Sequence, residues 1–454
     1  MKIIVFDDDP TGSQTVHDCL LLLSWDYQTL LDGIKSGSRL LFILCNTRSL
    51  SEAEASQRLI EICTSLKQVI NSEGYSIKDF VFISRGDSTL RGHNFLEPFV
   101  INKALGPFDA TFHIPAFIEG DRLTINGRHF VDNMPAHETI FAKDKIFGYQ
   151  TNNIKQLLYK KSKFQIQLKD IENLTLSEIN ELVVNENNII FKKIRNLKNN
   201  KQLIVDADTY WYLDKFSLVL NKLKMEKNFF FRTAASFIKS YSRIENNTKD
   251  NKYYSQLRRK DDHNKYMKGL IVIGSHVELS SIQLKSLLEI STCKPIEINV
   301  KDYFQIFKYK NEESQIKIFK KRLVNQVREC IKKDFTPVLF TSRKVLISQS
   351  NDEEFAFNKS LASFIAQIIK ELKLEIGYLI SKGGITTNTI LSEGFSANSV
   401  YLEGQITIGI SLLSVHLKQI NTSIPVVTFP GNIGDKNTMV KVWSIIENQK
   451  ISSI

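Results

Sequence analysis

Apolar residues fall in two rhythms along this chain, and the two alternate. Residues 3–6, 39–45, 80–83 and 110–114 form short, mostly apolar runs, as strands covered on both faces do. Between them Leu59, Ile62, Leu66, Val69 and Ile70 recur at three- and four-residue spacing, which places them on one face of a helix. Ser51 followed by Glu54 predicts a capping box at its start, and Gly74 predicts its stop. The second half repeats the grammar. Residues 270–273 run into Gly274-Ser275, residues 338–340 and 378–380 read as strands, and 425–429 lead through Pro430-Gly431-Asn432 into a final helix. That helix should turn Met439, Val440, Trp443 and Ile446 inward.

Strands alternating with helices predict an α/β protein with two domains, each a largely parallel sheet flanked by helices; an active site built by both would lie in the interdomain cleft. Residues 240–268 are charged and polar with little apolar periodicity, which reads as a linker or exposed excursion. The expected division is therefore 1–239, then the segment 240–268, then 269–454. No repeat of fixed period is visible, which excludes a solenoid.

Composition narrows the class. A chain of 454 residues, 42% hydrophobic and 24% charged, suits two or three ordinary domains rather than a disordered or fibrous protein. No apolar run approaches the roughly 20 residues of a membrane-spanning helix. The opening MKIIVFDDDP breaks into aspartates where a signal peptide would stay apolar, so a cytoplasmic protein is expected. Cys19, Cys45, Cys63, Cys293 and Cys330 are odd in number and lack ligand spacing, which points to reduced, structural thiols. The net charge of +11 is dispersed through Lys/Asn-rich stretches such as 192–201 and 215–227. Without a nucleic-acid motif beside it, that excess fits solubility and the attraction of anionic substrates better than an RNA partner.

Candidate chemistry lies just after the strands, where open parallel sheets gather ligands. Asp7, Asp8 and Asp9, followed by Pro10, Thr11 and Gly12, are carboxylates that repel unless a cation, an arginine or a polyol hydroxyl compensates. The bland alternative is an acidic surface turn. The stretch Ser84, Arg85, Gly86, Asp87, Ser88, Thr89, Leu90, Arg91, Gly92 offers guanidinium forks, hydroxyls and a close-approach glycine, which suit a small organic acid, and Arg48 could join them. Its alternative is a structural Asp87–Arg91 network. In the second half, Ser381, Lys382, Gly383, Gly384, Ile385, Thr386 and Thr387 form one glycine site. Pro430, Gly431, Asn432, Ile433 and Gly434 form another, and Gly274-Ser275 a third; bare N–H groups at such turns can cradle phosphate. Glycine also serves plain tight turns, and neither a P-loop nor a full GxGxxG is present. His17, His93, His113 and His129 read as structural hydrogen-bonders.

Two enzymes compete on these residues. One is a kinase that holds a hydroxy acid in the first half and ATP with Mg2+ in the second. The other is a haloacid-dehalogenase-like phosphatase, with Asp7 as nucleophile, Asp9 as acid/base, Thr11 completing DxDxT, and Asp206 and Asp208 as metal acids. The phosphatase leaves the arginines and the glycine sites without a role. A catalytically silent nucleotide-binding regulator is the non-enzyme reading, ahead of an RNA-binding scaffold.

The segments DDDPTGSQTVHD, SRGDSTLRGH, HIPAFIEGDRLTINGRHFV, FAKDKIFGY, FRTAASF, GSHVELSSIQL, SKGGITTNTI, EGQITIGI and FPGNIGD, in this order, resemble the four-carbon acid sugar kinase family over nearly the whole chain. The resemblance implies ATP-dependent phosphorylation of acids such as threonate, erythronate and 3-oxo-tetronates, with an N-terminal acid-sugar domain and a C-terminal nucleotide domain. It implies that Asp8 and Asp9 are the catalytic pair, either of which could also help hold the metal, and that Arg48, Arg85, Gly86, Asp87, Ser88 and Arg91 bind substrate. Ser275, Ser381, Gly383, Gly384, Ile385, Thr386, Gly431, Asn432, Ile433 and Gly434 fall on its nucleotide motifs. A sugar acid and ATP are the partners implied, with no membrane and no nucleic acid, and a homo-oligomer is left open. Asp7, Pro10, the end of GGITTNT and Ile408 depart from the family's commoner pattern, which suggests a distinct subgroup.

Overall fold

The computed structural model describes residues 1–9, 15–245, 247–308, 313–343 and 351–449, so Pro10, Thr11 and Gly12 lie outside the described residues. The chain divides into two compact units, Met1–Asn246 and Asn247–Ile454.

The strands of the first unit are β1 (Lys2–Asp7), β2 (Cys19–Leu22), β3 (Leu40–Leu44), β4 (Phe80–Arg85) and β5 (Ala110–Ile114). A small hairpin sheet follows, β6 (Arg122–Ile125), β7 (Arg128–Val131) and β8 (Met134–Pro135), and then β9 (Ile171–Leu174), β10 (Lys201–Val205) and β11 (Phe229–Thr233). Its main sheet has the order β2-β3-β1-β4-β11-β5-β10-β9, and the pairings across it are parallel. Ile3, Ile4, Val5 and Phe6 are fully buried, because β1 lies inside the sheet with both faces covered. The helix Glu52–Ser72 packs Leu59, Ile62, Leu66, Val69 and Ile70 into the core. Both bonds of its capping box are present, Ser51 Oγ accepting from Glu54 N at 3.4 Å and Glu54 Oε2 from Ser51 N at 3.0 Å. Such a cap contributes about 1 kcal/mol. Gly74, at φ +74°, ends the helix in the left-handed conformation.

The second unit contains β12 (Leu270–Ile273), β13 (Cys293–Ile298), β14 (Thr336–Thr341), β15 (Leu379–Lys382), β16 (Ser399–Thr407), β17 (Ile410–Leu417) and β18 (Thr422–Phe429). Their order is β13-β14-β12-β15-β18-β17-β16, parallel as far as β18 and antiparallel across β17 and β16. The helix Thr438–Glu447 buries Met439, Val440, Trp443 and Ile446, and the Trp443 indole N–H donates to Thr336 Oγ1 at 3.2 Å.

The polar stretch expected to be a linker differs from that reading beyond Asn246. It carries the helix Asn251–Gln256, whose Tyr254 is buried and donates its hydroxyl to Gln405 O at 2.9 Å. Arg258 lies over the rings of Tyr266 and Tyr378 and pairs with Glu447 at 3.3 Å. Tyrosines and arginine stems bury apolar surface while keeping polar tips bonded, so a packed segment can lack apolar periodicity. All five cysteines are buried, and none is joined in a disulfide. Among the described residues no helix is long and apolar enough to cross a membrane.

Candidate functional site

The first cluster is built at the carboxyl ends of β1, β3 and β4. Parallel register sets Asp7 of β1 opposite Arg85 of β4, and Arg85 Nη2 lies 2.6 Å from Asp7 Oδ1 while its Nη1 lies 3.2 Å from Asp8 Oδ1. Beyond β3, Asn46 adopts φ +49° and turns the chain, and Arg48 follows in the short turn Thr47–Ser49. Its guanidinium pairs with Asp9, approaches Asp8 Oδ1 at 3.9 Å and reaches Asp87 Oδ1 at 3.3 Å. Asp87 Oδ2 takes Arg91 Nε at 2.7 Å and also accepts from Thr89 Oγ1. Asp7, Asp8, Asp9, Arg48, Arg85, Asp87 and Arg91 thus form one interlocked charge cluster.

The loop from Ser84 to Gly92 is held from several sides. Leu90 sits at φ +62°, a conformation that a non-glycine residue keeps only where its surroundings impose it, and Gly92 at +93°, which glycine adopts freely. Tyr149 donates to Thr89 O at 2.7 Å, and His129 Nε2 bonds Ser88 O at 2.7 Å. A Cβ at Gly86 would collide with the Arg232 guanidinium, and one at Gly92 would lie 3.2 Å from Asp8 Oδ2. His113 bonds Gln202 and His93 bonds Leu50 O, structural roles as expected. Burial lowers His113 and His129 to about 4, so both are neutral imidazoles near pH 7.

Charge states follow from burial against pairing. Burial pushes Asp7 up to about 7 against the pull of Arg85, and Asp8 beside it adds repulsion. Asp8, wholly buried, is raised by burial although Arg48 and Arg85 favour its anion. At Asp87 burial is outweighed by Arg48 and Arg91, and its carboxyl lies well below the usual carboxylate range. Among the described residues Asp8 Oδ2 is buried with no hydrogen-bond partner.

The phosphatase residues are not brought together. Asp206 Oδ1 and Oδ2 accept the backbone N–H groups of Gly127 and Asn126 at 2.9 and 2.6 Å, closing the β6–β7 turn. β10, which carries the chain into Asp206, is separated from β1 by β4, β11 and β5. Asp7 itself is engaged by Arg85, so neither carboxylate is disposed as that mechanism requires. Among the described residues no three His, Cys, Asp or Glu side chains are grouped as metal ligands would be.

The second cluster lies at the carboxyl ends of the adjacent strands β12, β15 and β18. Gly383, at φ +119°, caps the short helix Gly384–Thr389, and a Cβ there would lie 3.2 Å from Ser275 N. A Cβ on Gly431 would lie 2.8 Å from Ser275 Oγ, and Gly434 sits at φ +86° against Thr438. Gly274 N and Ser275 N both bond Lys382 O, and Gly383 N bonds Phe429 O at 2.9 Å. The three glycine sites therefore meet. Thr386 packs on Gly274, Ile385 is exposed, and Asn432 is exposed beside Ile433, whose carbonyl accepts from Gln283 Nε2 at 3.1 Å. Ser381 stands behind the loop, its hydroxyl 2.8 Å from Thr387 Oγ1. Gly384 differs from its neighbours, because a Cβ there would meet no protein atom within 4 Å. The open space beside it is where phosphate oxygens could approach bare N–H groups.

Sequence reasoning gave no role to the buried charges of Lys382, Glu97 and Arg232. Lys382 Nζ donates to Pro430 O at 2.8 Å over the Phe429 ring, and burial, with Arg343 nearby, lowers it to about 7. Glu97 and Arg232 pair at 2.5 Å beneath the first cluster. Each stands alone among apolar neighbours, in LISKGG, FLEPF and FFFRT, and a lone charge in a buried run was the available signal.

Residues 3–241 match the model of a sugar-binding N-terminal domain, and residues 270–439 that of a nucleotide-binding C-terminal domain. A D-erythronate kinase from Heliobacterium modesticaldum is 27% identical over 149 residues, so the match spans 32% of this chain and 32% of that enzyme. Two solved structures share the fold. A Salmonella typhimurium LT2 chain, described provisionally as a tRNA synthase, aligns with TM-score 0.70 at 14% identity over 97% of this chain and 98% of that one. The Haemophilus influenzae protein HI1011 aligns with TM-score 0.65 at 15% identity over 98% and 100%.

Proposed function

The chain belongs to the four-carbon acid sugar kinase family, and from that premise we propose that it transfers the γ-phosphoryl group of ATP to a hydroxyl of a small, four-carbon sugar acid in the cytoplasm. The observation that carries the proposal is Asp8. A buried carboxylate oxygen without a donor is costly, and a substrate hydroxyl is a donor that must also lose its proton as it attacks phosphorus. Asp8 accepts that proton. Asp9 fixes Arg48, while Arg48, Arg85 and Arg91 receive the acid's carboxylate and neighbouring hydroxyls, with Gly86, Asp87 and Ser88 shaping the loop around it.

These three guanidiniums already face five carboxylates, Asp7, Asp8, Asp9, Asp87 and, at 3.8 Å from Arg91, Asp144. An anionic substrate adds a further negative charge. A proton on Asp7, whose carboxyl titrates at about 7, offsets it, so acid binding should weaken as pH rises above that value.

When bound, ATP supplies the transferable group. Its phosphates would be held by Ser275, by the Gly383, Gly384, Ile385 and Thr386 backbone, and by the turn of Gly431, Asn432, Ile433 and Gly434, with Ser381 supporting from behind. Mg2+ would come with those phosphates and shield their charge, and Asp8 or Asp9 would be the carboxylate to help hold it. Phosphoryl transfer asks a protein mainly for positioning and charge neutralisation, and each strand-end cluster has the chemistry to hold one of the two reactants.

The test is ADP release with Mg-ATP against threonate, erythronate, their oxo relatives and five-carbon acids, with free phosphate followed in parallel. ADP formed with one acid, and no matching phosphate, is the expected result. ATP binding without turnover of any acid would leave a silent regulator, and phosphate released from sugar phosphates without ADP would restore the phosphatase.

A further inference from the structure

We infer that the buried Glu97–Arg232 pair is a positioning device that sets the placement of Arg48 and Arg85 without itself touching substrate. The inference rests on the kinase reading for its functional meaning, but its structural content can be tested without substrate.

Glu97 lies in the first turn of the helix Leu96–Leu105 and is 1% exposed. Its Oε1 accepts from Thr47 Oγ1 at 2.9 Å, and its Oε2 accepts from Ser84 Oγ at 2.7 Å and Arg232 Nη1 at 2.5 Å. Each of these donors lies at or just beyond the end of a different strand. Thr47 immediately precedes Arg48 beyond β3, and Ser84 immediately precedes Arg85 at the end of β4. Arg232 lies in β11, directly across from Ser84 in register. Side chains alternate along a strand, so binding Ser84 on one face turns Arg85 toward the aspartates on the other. One carboxylate therefore locks the chain next to both arginines.

Arg232 extends the lock to the loop. Its guanidinium lies against Gly86, and its Nη2 donates to Asn94 Oδ1 at 3.3 Å while Asn94 Nδ2 donates to Leu90 O at 2.7 Å. Leu90 is the residue held at φ +62°. The pair thus touches the strand ends and the strained loop from beneath, while the carboxylates of the site take up Arg48 and Arg85 from above. A core that needed only stability could fill this space with apolar side chains, since replacing both members of a buried pair is often neutral or stabilising. The hydrogen-bond geometry, rather than the burial, is what apolar side chains could not reproduce.

The variant Glu97→Gln/Arg232→Met removes both charges at similar volume. Its folding midpoint should recover relative to Glu97→Gln or Arg232→Met alone. In the same folded protein the KM for the acid substrate should rise tenfold or more, with the KM for ATP within twofold. Independently of any substrate, the guanidinium 15Nε signals of Arg48 and Arg85, assigned with Arg48→Lys and Arg85→Lys, should shift or broaden. A double variant with a recovered midpoint and both signals unmoved would overturn the inference. Wild-type protein that turned over no acid would defeat the kinase reading alone, because the signals still decide the pair. Should the double variant not fold, Thr47→Val removes one donor to Glu97 and should move the Arg48 signal but not that of Arg85; an unmoved Arg48 signal there would equally refute the device.

Discussion

Asp7, Asp8 and Asp9 are consecutive in the chain, yet each meets a different environment. Asp7 is paired with Arg85, Asp9 with Arg48, and Asp8 lies between them with an oxygen left over. As the proposed proton acceptor, Asp8 should be the most sensitive to loss of charge. Asp8→Asn is expected to lower kcat by about 10² to 10⁴, the range of a general base, with the KM for ATP within twofold, as steady-state kinetics would show. Asp7 gives a prediction about stability. Its carboxyl titrates at about 7 when folded, against 3.8 as its ordinary value, so the folded state holds the proton more tightly. The sign follows from linkage: the group's contribution is fully present below about pH 4 and is lost as pH rises through 7, at roughly 1.4 kcal/mol per pH unit between those values. Asp7→Asn should therefore raise the melting temperature at pH 8 and leave it nearly unchanged at pH 4, by calorimetry at both values.

At the level of elements, the glycine loops separate glycines required by the fold from one that is not. Gly383 and Gly434 have positive φ and Gly431 would press on Ser275, whereas Gly384 begins a helix in open space. Gly384→Ala should raise stability by about 0.5 to 1 kcal/mol, as alanine does in helices, and at the same time weaken ATP binding at least tenfold by calorimetric titration. Retained ATP affinity would remove this loop from the phosphate site. The same contrast shows what the sequence could disclose. β1, β4 and the capped helix after Ser51 were legible because continuous burial and 3.6-residue periodicity are local patterns. β16 was not, because register shifts between Leu402 and Gly404 and between Gln405 and Thr407 break the two-residue alternation by which strands are recognised. The β6–β7 hairpin turns on Asn126-Gly127, a recognisable pair, but charged neighbours mask its strands. Arg48, Arg85 and Arg91 were readable from neighbouring residues. Glu97 and Arg232 lie 135 positions apart, and only the seating of the helix Leu96–Leu105 against the ends of β4 and β11 makes them partners.

On the scale of the whole molecule, each unit has its own apolar core, one around Phe6, Phe80, Phe82 and Phe108 with Leu59 and Leu66, the other around Tyr378, Val427 and Trp443. Units with separate cores can respond separately to ligands that bind only one of them. ATP should raise the unfolding temperature of the second unit, and the sugar acid that of the first, with the transitions assigned by limited proteolysis; a single transition shifted equally by either ligand would contradict this. The cysteines give that experiment a second reading. Cys19, Cys45 and Cys63 lie in the first unit and Cys293 and Cys330 in the second, all of them buried. A thiol shielded in this way reacts with an alkylating agent only when the structure around it opens. The native chain therefore carries its own chemical clock for each half: the rate at which each thiol is modified, followed by mass spectrometry with and without ATP, counts the openings of one unit at a time, with no label introduced.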